Sequence, residues 1–417
     1  MDRIVVQGGA RLEGEVRASG SKNSTLALMA ATLLARGETR LANVPRLRDV
    51  DAMLELLTAL GATAEWVGPH ELRVIADDDL NPEAPYELVR KMRASFMVLG
   101  PLVARFGRAR VSEPGGCAIG VRPVDQHIKG LEALGTKVNL DHGYVECTTQ
   151  GLRGDRVRFD MTTVNGTQNV MMAAALAPGE TLLENAAREP EVVELAGFLN
   201  RMGADVRGAG GDQITIRGVS ELRAVNHSVA GDRIEAGTLL CAGLVTRGDV
   251  TVTGIDTADI GATVEKLRQI GFALEVGADR VRARHEGPVK GILVATAPFP
   301  GYATDMQAQI MALLCTVDGS SVVTERVFEN RFMHVPELQR MGADITLSGR
   351  SAHVRGGGRL SGAPVMATDL RASAGLVVAA LAAEGDTVVN RVYHIDRGYE
   401  RIEEKLRGLG ADIRREA

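Results

Sequence analysis

One glycine-rich segment surrounds a cysteine whose setting suits covalent or acid chemistry. Residues 112–120 read SEPGGCAIG, so that Cys117 follows a Pro-Gly-Gly turn, and Arg122 comes five residues later. Such turns are typical of exposed connections, and a nearby cation lowers the pKa of a thiol. Cys117 is therefore a candidate nucleophile or general acid. The alternative is a buried, inert thiol, which is our interpretation of Cys147, Cys241 and Cys315.

An aspartate is the second candidate for proton chemistry. Asp305 lies in the segment TDMQAQ, residues 304–309, where an apolar helix is predicted to begin. A carboxylate among arginine side chains is a candidate general base for a hydroxyl group, although Asp is also a common helix N-cap. Neither the four cysteines nor the eight histidines show a metal-binding spacing. We therefore expect no metal site.

These residues belong to a repeated unit of about 70 residues. Two sequence patterns recur in the same register. The first is an amphipathic helix, a glycine and a strand-like run, and the second is an apolar helix, a glycine and a strand. The first pattern is centred on Gly61, Gly135, Gly203, Gly271, Gly342 and Gly410, and the second on Gly37, Gly107, Gly179, Gly248, Gly319 and Gly385. Six units of two helices and several strands each predict an α/β fold.

The first unit shows how each repeat is expected to fold. Residues 24–35 form an apolar helix that ends at Gly37 as its C-cap, and residues 38–43 form a strand. A second helix opens at Asp49 with apolar residues along one face. Because the first helix is apolar nearly all round, we expect it to be buried, with the one-sided second helix nearer the surface.

Six such units divide naturally into two domains of three. The midpoint falls near residues 227–232, and we place one domain at residues 22–229 and the other at residues 1–21 together with 230–417. The strand predicted at residues 3–7 precedes the first unit. We expect it to pair with the end of the last unit, so that the chain crosses between the domains.

Cations stand where the helices of the repeats are predicted to begin. Helix N-termini present free N–H groups and the positive end of the dipole, and an added Lys or Arg favours phosphate or carboxylate there. Two domains that face each other would therefore bind a small polyanionic ligand between them. The cations expected in this cleft are Lys22, Arg93, Arg122, Arg331, Arg371 and Arg397. The alternative is a set of ordinary caps and surface ion pairs.

The composition narrows the classes of function. The chain has 417 residues, 48 Lys and Arg against 53 Asp and Glu, a net charge of −5, and only 3% aromatic residues. A nucleic-acid-binding repeat protein is disfavoured, since such binders use basic faces and stacking rings. We find no apolar run of about 18 residues and no signal-peptide pattern at the start. The expectation is a cytoplasmic protein that binds neither nucleic acid nor membrane.

Several motifs together carry a family resemblance that covers essentially the whole chain. They are SGSKN at 19–23, MRAS at 92–95, PGGCAIG and RPVD within 114–125, ENAAREPE at 184–191, TDMQAQ at 304–309, FENRFMH at 328–334, ATDLRAS at 367–373 and HIDRGYER at 394–401. With these motifs the chain resembles the enolpyruvyl transferase family, and in particular its UDP-N-acetylglucosamine 1-carboxyvinyltransferases.

The resemblance implies both a fold and a reaction. The fold is a two-domain inside-out α/β barrel of six βαβαββ repeats, three in each domain. The reaction transfers the enolpyruvyl group of phosphoenolpyruvate to the 3-hydroxyl of UDP-N-acetylglucosamine and releases phosphate, by addition and then elimination. No metal or organic cofactor is implied. The implied role is the first committed step of peptidoglycan synthesis, and with it cell wall biogenesis, cell shape, the cell cycle and cell division.

The resemblance also assigns roles to residues. Cys117 is the mobile-loop acid, the site of a phosphoenolpyruvate adduct and the target of the epoxide fosfomycin. Asp305 binds the sugar 3-hydroxyl and takes its proton, while Asn23 contacts the tetrahedral intermediate. Phosphoenolpyruvate is held by Lys22, Arg122 and Arg397, with Arg93 near its phosphate. The sugar-nucleotide site is lined by Arg122, Pro123, Val124, Asp125, Gln126, Thr163, Val164, Asn165, Gly166, Asp305 and Val327. Arg331, Asp369 and Arg371 complete the charged set.

Two other functions compete with this interpretation. The shikimate 3-phosphate enolpyruvyl transferases share the fold, but they lack the Pro-Gly-Gly-Cys loop. A non-catalytic sensor of sugar nucleotides is disfavoured because Lys22, Arg93, Cys117, Asp305 and Arg397 are all retained. The chain departs from the family at Gln126, where leucine is more usual, and residues 163–167 are variable. Both departures concern the uridine contacts rather than the reaction.

Overall fold

A computed structural model describes residues 2–114 and 124–417 of the chain. The described strands, numbered in chain order, are β1 (Arg3–Gln7), β2 (Glu13–Arg17), β3 (Glu38–Ala42), β4 (Thr63–Gly68), β5 (Glu71–Ile75), β6 (Glu83–Ala84), β7 (Arg108–Ser112), β8 (Lys137–Asp141), β9 (Tyr144–Thr148), β10 (Arg156–Arg158), β11 (Glu180–Glu184), β12 (Asp205–Arg207), β13 (Gln213–Arg217), β14 (His227–Ser228), β15 (Asp249–Thr253), β16 (Ala273–Val276), β17 (Arg280–Arg284), β18 (Leu293–Ala295), β19 (Gly319–Thr324), β20 (Asp344–Ser348), β21 (Ser351–Gly356), β22 (Pro364–Met366), β23 (Asp386–Asn390) and β24 (Asp412–Glu416).

Helices alternate with these strands. The described α-helices are α1 (Lys22–Ala31), α2 (Arg48–Ala59), α3 (Tyr86–Val89), α4 (Leu99–Phe106), α5 (Asp125–Ala133), α6 (Val164–Ala174), α7 (Pro190–Met202), α8 (Arg233–Val245), α9 (Gly261–Ile270), α10 (Gln307–Leu314), α11 (Val335–Arg340), α12 (Leu370–Ala382) and α13 (Ile402–Gly408). Short 3₁₀ helices occupy Thr32–Leu34, Arg93–Val98, Thr257–Ile260, Thr304–Met306 and Val392–Arg397. In the described part of the chain, every helix is too short or too polar to cross a membrane.

The described strands form six four-stranded sheets that share one pattern. Their strand orders are β14-β3-β5-β4, β6-β7-β9-β8, β10-β11-β13-β12, β2-β15-β17-β16, β18-β19-β21-β20 and β22-β23-β1-β24. In each sheet the first pair is parallel and the other two pairs are antiparallel. These mixed sheets are built from strands that alternate with helices along the chain, so the predicted α/β class is confirmed.

The first strand of the chain closes a sheet made by the last residues. Strand β1 pairs antiparallel with β23, with Val5 opposite Val388, and with β24, with Val5 opposite Arg414. Val5 and its neighbours Ile4 and Val6 are buried. The predicted pairing of the N-terminal strand with the end of the last repeat is therefore confirmed.

Close contacts divide the described residues into two compact units. The Lys22 unit consists of residues 20–114 and 124–230, and the Asp305 unit of residues 2–19 and 231–417. Each unit has its own apolar core, which runs from Leu26 to Val229 in the first and from Ile4 to Ile413 in the second. The domain limits predicted from the repeats, 22–229 and 1–21 with 230–417, stay a prediction.

The helices that the sequence shows as apolar all round are buried, as predicted. In α1, α8 and α12 nearly every residue is buried, whereas α2 buries one face and exposes the other. The predicted end of the first helix at Gly37 is wrong. Helix α1 ends at Ala31 and a 3₁₀ turn continues to Leu34. Gly37 instead has a φ of 93° in the bend before β3, a conformation that favours glycine.

In two of the repeats, the second helix begins later than the sequence predicts. Asn330 and Arg331 were expected to open one helix, but α11 begins at Val335, because Pro336 suits only the first turn. Arg397 ends a 3₁₀ helix, and α13 begins at Ile402. Arg331 therefore lies on the connection before α11 and Arg397 at the end of a 3₁₀ helix, and neither lies at a helix N-terminus.

Candidate active site

In the Asp305 unit, one carboxylate lies between two guanidinium groups. Asp305 Oδ1 is 2.7 Å from Arg331 Nη2, and its Oδ2 is 3.1 Å from Arg371 Nε. The Asp305 side chain keeps 26% of its surface exposed, while Arg331 keeps 7% and Arg371 only 3%. The carboxylate is thus the accessible member of the cluster. Asp305 is not the N-cap residue that the alternative interpretation expected, because the N-caps here are Ala303 for the 3₁₀ helix and Met306 for α10.

The start of helix α12 places Arg371 beside Asp305. The Asp369 carboxylate caps this helix by accepting hydrogen bonds from the backbone N–H groups of Arg371 and Ala372. Burial by itself would lower the pKa of the Arg371 guanidinium, but Tyr399, Asp305 and Asp232 raise it overall. Arg371 is therefore a fixed cation.

A buried hydrogen-bond network supports this cluster from the core side. Gln309 Nε2 donates to the backbone carbonyl of Asp305, at 2.9 Å, and approaches the hydroxyls of Thr238 and Tyr399 at 3.1 and 3.0 Å. Those two hydroxyls lie 2.9 Å apart, and the Arg371 Cζ lies 5.4 Å from the Tyr399 ring centre. The network links α8 and α10 to Tyr399, which lies between the 3₁₀ helix Val392–Arg397 and α13. Through the Gln309 hydrogen bond, the network fixes the backbone of Asp305.

The nearby histidines are neutral near pH 7. Burial, together with the Arg331 charge, lowers the pKa of His334 to about 4, although Asp369 opposes the shift. Burial and Arg397 likewise lower the pKa of His394. The positive charge of this region is therefore carried by arginines, and Arg397 itself is partly exposed at the end of its 3₁₀ helix.

In the Lys22 unit, the arrangement is reversed. Lys22 is the first residue of α1, whose N-cap Ser21 accepts from the backbone N–H of Ser24. The Lys22 Nζ lies 2.7 Å from Asp49 Oδ2, and Lys22 keeps 12% of its side chain exposed against 4% for Asp49. Here the cation is the accessible member. Asn23 donates to Glu191 Oε1 at 3.5 Å, at the start of α7.

Two further helix starts in this unit carry predicted site residues. Arg93 is partly exposed at the first position of the 3₁₀ helix that leads into α4. Thr163 caps α6 and accepts from the backbone N–H of Gly166, at 3.2 Å, while Val164 and Asn165 form the first turn between them. A Cβ at Gly166 would lie 2.5 Å from the Thr163 side chain. The cap therefore favours glycine at this position.

Gln126 has a structural role that the sequence did not reveal. Its Nε2 donates to Asp125 Oδ2 at 2.8 Å and to Asp160 Oδ2 at 3.1 Å, and its Oε1 accepts from the backbone N–H of Asp160 at 2.8 Å. The Lys129 ammonium and the Gln126 amide hold the pKa of the Asp160 carboxyl below its usual range. Gln126 thus ties the start of α5, which follows Val124, to the segment after β10.

Some predicted site residues lie outside the described residues. These are Cys117, Arg122 and Pro123, so their assigned roles stay predictions. The other thiols, at Cys147, Cys241 and Cys315, are buried, and burial raises the pKa of each to about 12. The prediction that these three thiols are buried is therefore confirmed, and the raised pKa values favour the unreactive thiol form.

Sequence reasoning missed Glu325, which anchors the segment that contains Val327. Glu325 directly follows β19 and is 1% exposed, and its Oε1 accepts from the backbone N–H of Val327 at 2.8 Å. A charged residue immediately after a buried strand was the available signal.

Comparisons with known proteins agree with this fold. The profile of the EPSP synthase (3-phosphoshikimate 1-carboxyvinyltransferase) family matches residues 6–406. Proteins named UDP-N-acetylglucosamine 1-carboxyvinyltransferase are 58% identical over 422 residues in an Anaeromyxobacter species and 56% identical over 418 residues in Myxococcus xanthus, and both alignments cover 100% of each chain. The crystal structure of the enolpyruvyl transferase NikO from Streptomyces tendae is 29% identical with a TM-score of 0.90, over 99% of this chain and 98% of that chain.

The chain therefore belongs to the EPSP synthase family and is a carboxyvinyl-group transferase. Its full-length identity places it in the UDP-N-acetylglucosamine 1-carboxyvinyltransferase branch of that family.

Proposed function

We propose that the protein transfers the enolpyruvyl group of phosphoenolpyruvate to the 3-hydroxyl of UDP-N-acetylglucosamine, with release of phosphate. One observation carries the proposal. The accessible Asp305 carboxylate lies against the buried guanidinium groups of Arg331 and Arg371. An accessible base held by two fixed cations suits a reaction in which a hydroxyl attacks an anionic carbon compound.

The proton transfers of the proposed reaction balance as follows. The sugar 3-oxygen bonds to the central carbon of phosphoenolpyruvate, and its proton passes to Asp305. The methylene carbon gains a proton from Cys117, which creates a tetrahedral intermediate with a methyl group. One methyl proton then returns to the Cys117 thiolate while phosphate leaves with the proton held by Asp305, which restores the double bond, gives the enol ether and regenerates both residues. The role of Cys117 rests on the sequence motif alone.

The other assigned residues serve binding in this proposal. Phosphoenolpyruvate and the sugar nucleotide are both anions, so cations must offset their repulsion. Lys22 keeps an accessible ammonium next to Asp49, which supports its assignment to phosphoenolpyruvate, together with Arg122 and Arg397. Asn23 is assigned to the tetrahedral intermediate, and Arg93 to the phosphate. The sugar nucleotide is assigned to residues 122–126, 163–166 and Val327.

The finer architecture and the cellular role are also part of the proposal. The common pattern of the six described sheets supports six βαβαββ repeats, three to a domain, in an inside-out α/β barrel. The relatives are named after UDP-N-acetylglucosamine, which supports a role at the first committed step of peptidoglycan synthesis. A cytoplasmic location stays a prediction.

Phosphate release from phosphoenolpyruvate tests the proposed function. One sample of purified protein receives UDP-N-acetylglucosamine, a second receives shikimate 3-phosphate, and a third receives no acceptor. We expect release only in the first sample. Release only with shikimate 3-phosphate would contradict the assigned acceptor. Tight nucleotide binding without any release would instead favour the non-catalytic sensor.

The fosfomycin response tests the cysteine separately. We expect the epoxide to inactivate the wild-type protein and to leave a Cys117→Ser variant unaffected, because a hydroxyl is a far weaker nucleophile than a thiolate. Covalent addition of the epoxide is measured by mass spectrometry after timed exposure, because a variant without the assigned acid has little turnover to lose, and Cys315→Ser is the matched control at a buried thiol. Equal addition to the wild type and Cys117→Ser would remove Cys117 from the site.

A further inference from the structure

Glu325 is a buried carboxylate whose two oxygens are both engaged. It is 1% exposed in the Asp305 unit. Its Oε1 accepts from Thr296 Oγ1 at 2.8 Å and from the backbone N–H groups of Val327 and Phe328 at 2.8 and 3.1 Å. Its Oε2 accepts from Thr304 Oγ1 at 2.9 Å. One side chain therefore joins the residue before Asp305 to the segment that follows β19.

Both of these connections lead to Arg331. Arg331 Nη1 donates to Thr304 Oγ1 at 2.8 Å, while its Nη2 lies 2.7 Å from Asp305 Oδ1. On the other side, the Phe328 ring centre lies 5.1 Å from the Arg331 Cζ, within the range of cation–π contact. Glu325 thus fixes both the hydroxyl and the ring that hold the guanidinium.

We propose that Glu325 is a positioning residue that holds Arg331, and through it the Asp305 carboxylate, in the geometry needed for enolpyruvyl transfer. The inference rests on the proposed function, in which Asp305 takes the proton of the sugar hydroxyl. Glu325 acts on Arg331 indirectly, through its hydrogen bonds to Thr304 and to the backbone of Phe328. An error of about 1 Å in the placement of a reacting group costs on the order of 100-fold in rate.

The direction of the hydrogen bonds requires an acceptor at Glu325. The Thr304 hydroxyl receives a hydrogen bond from Arg331, so its own hydrogen must point to an acceptor, and an ionised carboxylate only accepts. In Glu325→Gln, the backbone N–H groups of Val327 and Phe328 keep the amide oxygen on their side. The amide nitrogen then faces Thr304 as a donor. The variant keeps the segment anchored but reverses the hydrogen bond that supports Arg331.

Thr304 offers an independent way to break the same link. Thr304→Val removes the hydroxyl at almost constant volume, so that Arg331 and Glu325 each lose one hydrogen bond. Thr304→Ser keeps the hydroxyl and should restore the link. Glu403→Gln is the matched control, because Glu403 is also a buried carboxylate of this unit, 6% exposed and 2.8 Å from Arg415 Nε, but is assigned no part in the site.

The test compares turnover with nucleotide binding for these variants. With the acceptor that supports phosphate release in the wild type, we expect Glu325→Gln and Thr304→Val to lose about 10- to 100-fold in kcat. The Kd for UDP-N-acetylglucosamine, measured by calorimetry, should stay within about threefold. Thr304→Ser and Glu403→Gln should keep near-wild-type kcat. A kcat for Glu325→Gln within about twofold of the wild type would overturn the inference, as would equal losses in Thr304→Ser and Thr304→Val.

A second measurement separates this inference from the proposed function. Hydrogen exchange of the Val327 and Phe328 amides needs no substrate, and we expect it to speed up in Glu325→Ala but not in Glu325→Gln. If the wild type transfers nothing to UDP-N-acetylglucosamine, the proposed function fails on its own. Unchanged exchange in Glu325→Ala would overturn the anchoring by Glu325, whatever the acceptor proves to be.

Discussion

The Asp305 cluster and the Lys22 cluster have opposite polarity. In the Asp305 cluster, the aspartate side chain is 26% exposed and its arginine partners are buried, with 7% and 3% exposure. In the Lys22 cluster, the lysine side chain is 12% exposed and its aspartate partner is 4% exposed. The buried partner fixes the more accessible group, which is the one available to a ligand. In the proposed function, the first cluster provides the base and the second an anion-binding cation.

Removal of the accessible carboxylate should have the largest effect. Asp305→Ala should lower turnover by about 10²- to 10⁴-fold, the usual contribution of a positioned general base. The Kd for UDP-N-acetylglucosamine should change little, because the base acts on one hydroxyl among many contacts. Steady-state kinetics and calorimetry check the two expectations. Near-normal turnover would remove Asp305 from the mechanism.

Removal of the accessible cation should act on binding. Lys22→Met should raise the KM for phosphoenolpyruvate by about 10- to 100-fold, since a hydrogen bond to a charged group contributes about 1.5–3 kcal/mol. The single variant also takes the ammonium away from the buried, charged Asp49 carboxylate, which destabilises the fold. The double variant Lys22→Met/Asp49→Asn removes that charge. If the double variant regains phosphoenolpyruvate binding, the loss came from Asp49 and the cluster does not bind the anion.

Replacement of Arg371, a buried partner of Asp305, tests whether the buried partner determines the activity of the accessible group. Arg371→Lys keeps a positive charge but loses the planar guanidinium, so one ammonium cannot reproduce both the contact with Asp305 and the packing against the Tyr399 ring. We expect turnover to fall about tenfold, the equivalent of one hydrogen bond. Arg282→Lys, at the exposed pair with Asp249, is the control and should keep full turnover. Equal kinetics in the two variants would show that the guanidinium of Arg371 is dispensable.

The smallest effect is expected at Gln126. Gln126→Leu leaves the backbone N–H of Asp160 without the acceptor that it has now, which should cost about 1 kcal/mol in the free energy of unfolding. It also releases Asp125, so nucleotide affinity should weaken by about threefold. Chemical denaturation and calorimetry measure both, with Lys129→Met as the control that removes only the other partner of Asp160. Unchanged stability would refute the tie between α5 and Asp160.

Hydrophobic periodicity was sufficient to predict much of the fold. The α/β class, the burial of α1, α8 and α12, and the pairing of β1 with the last strands all follow from patterns that span whole elements. Element ends were harder, because single residues decide them. Pro336 moves the start of α11 past Arg331, and Gly37 serves a bend rather than the helix end.

The candidate site was predictable by residue type but not by partner. Asp305, Arg331 and Arg371 were expected together, and the fold brings them into one cluster from three separate segments. The ion pair of Lys22 with Asp49, the ties of Gln126 and the four hydrogen bonds of Glu325 were not foreseen. Such partners depend on which side chains the tertiary packing brings within 3 Å, and periodicity in one sequence carries no information on that.

The position of the new bond in the product is the most direct test of the central claim. Purified protein is incubated with phosphoenolpyruvate and UDP-N-acetylglucosamine, and the sugar product is isolated and examined by NMR. We predict an enol ether on the 3-oxygen of the glucosamine ring, formed in equal amount with phosphate. Phosphate without an ether, or an ether on another oxygen, would contradict the assignment of Asp305 as the base for the 3-hydroxyl.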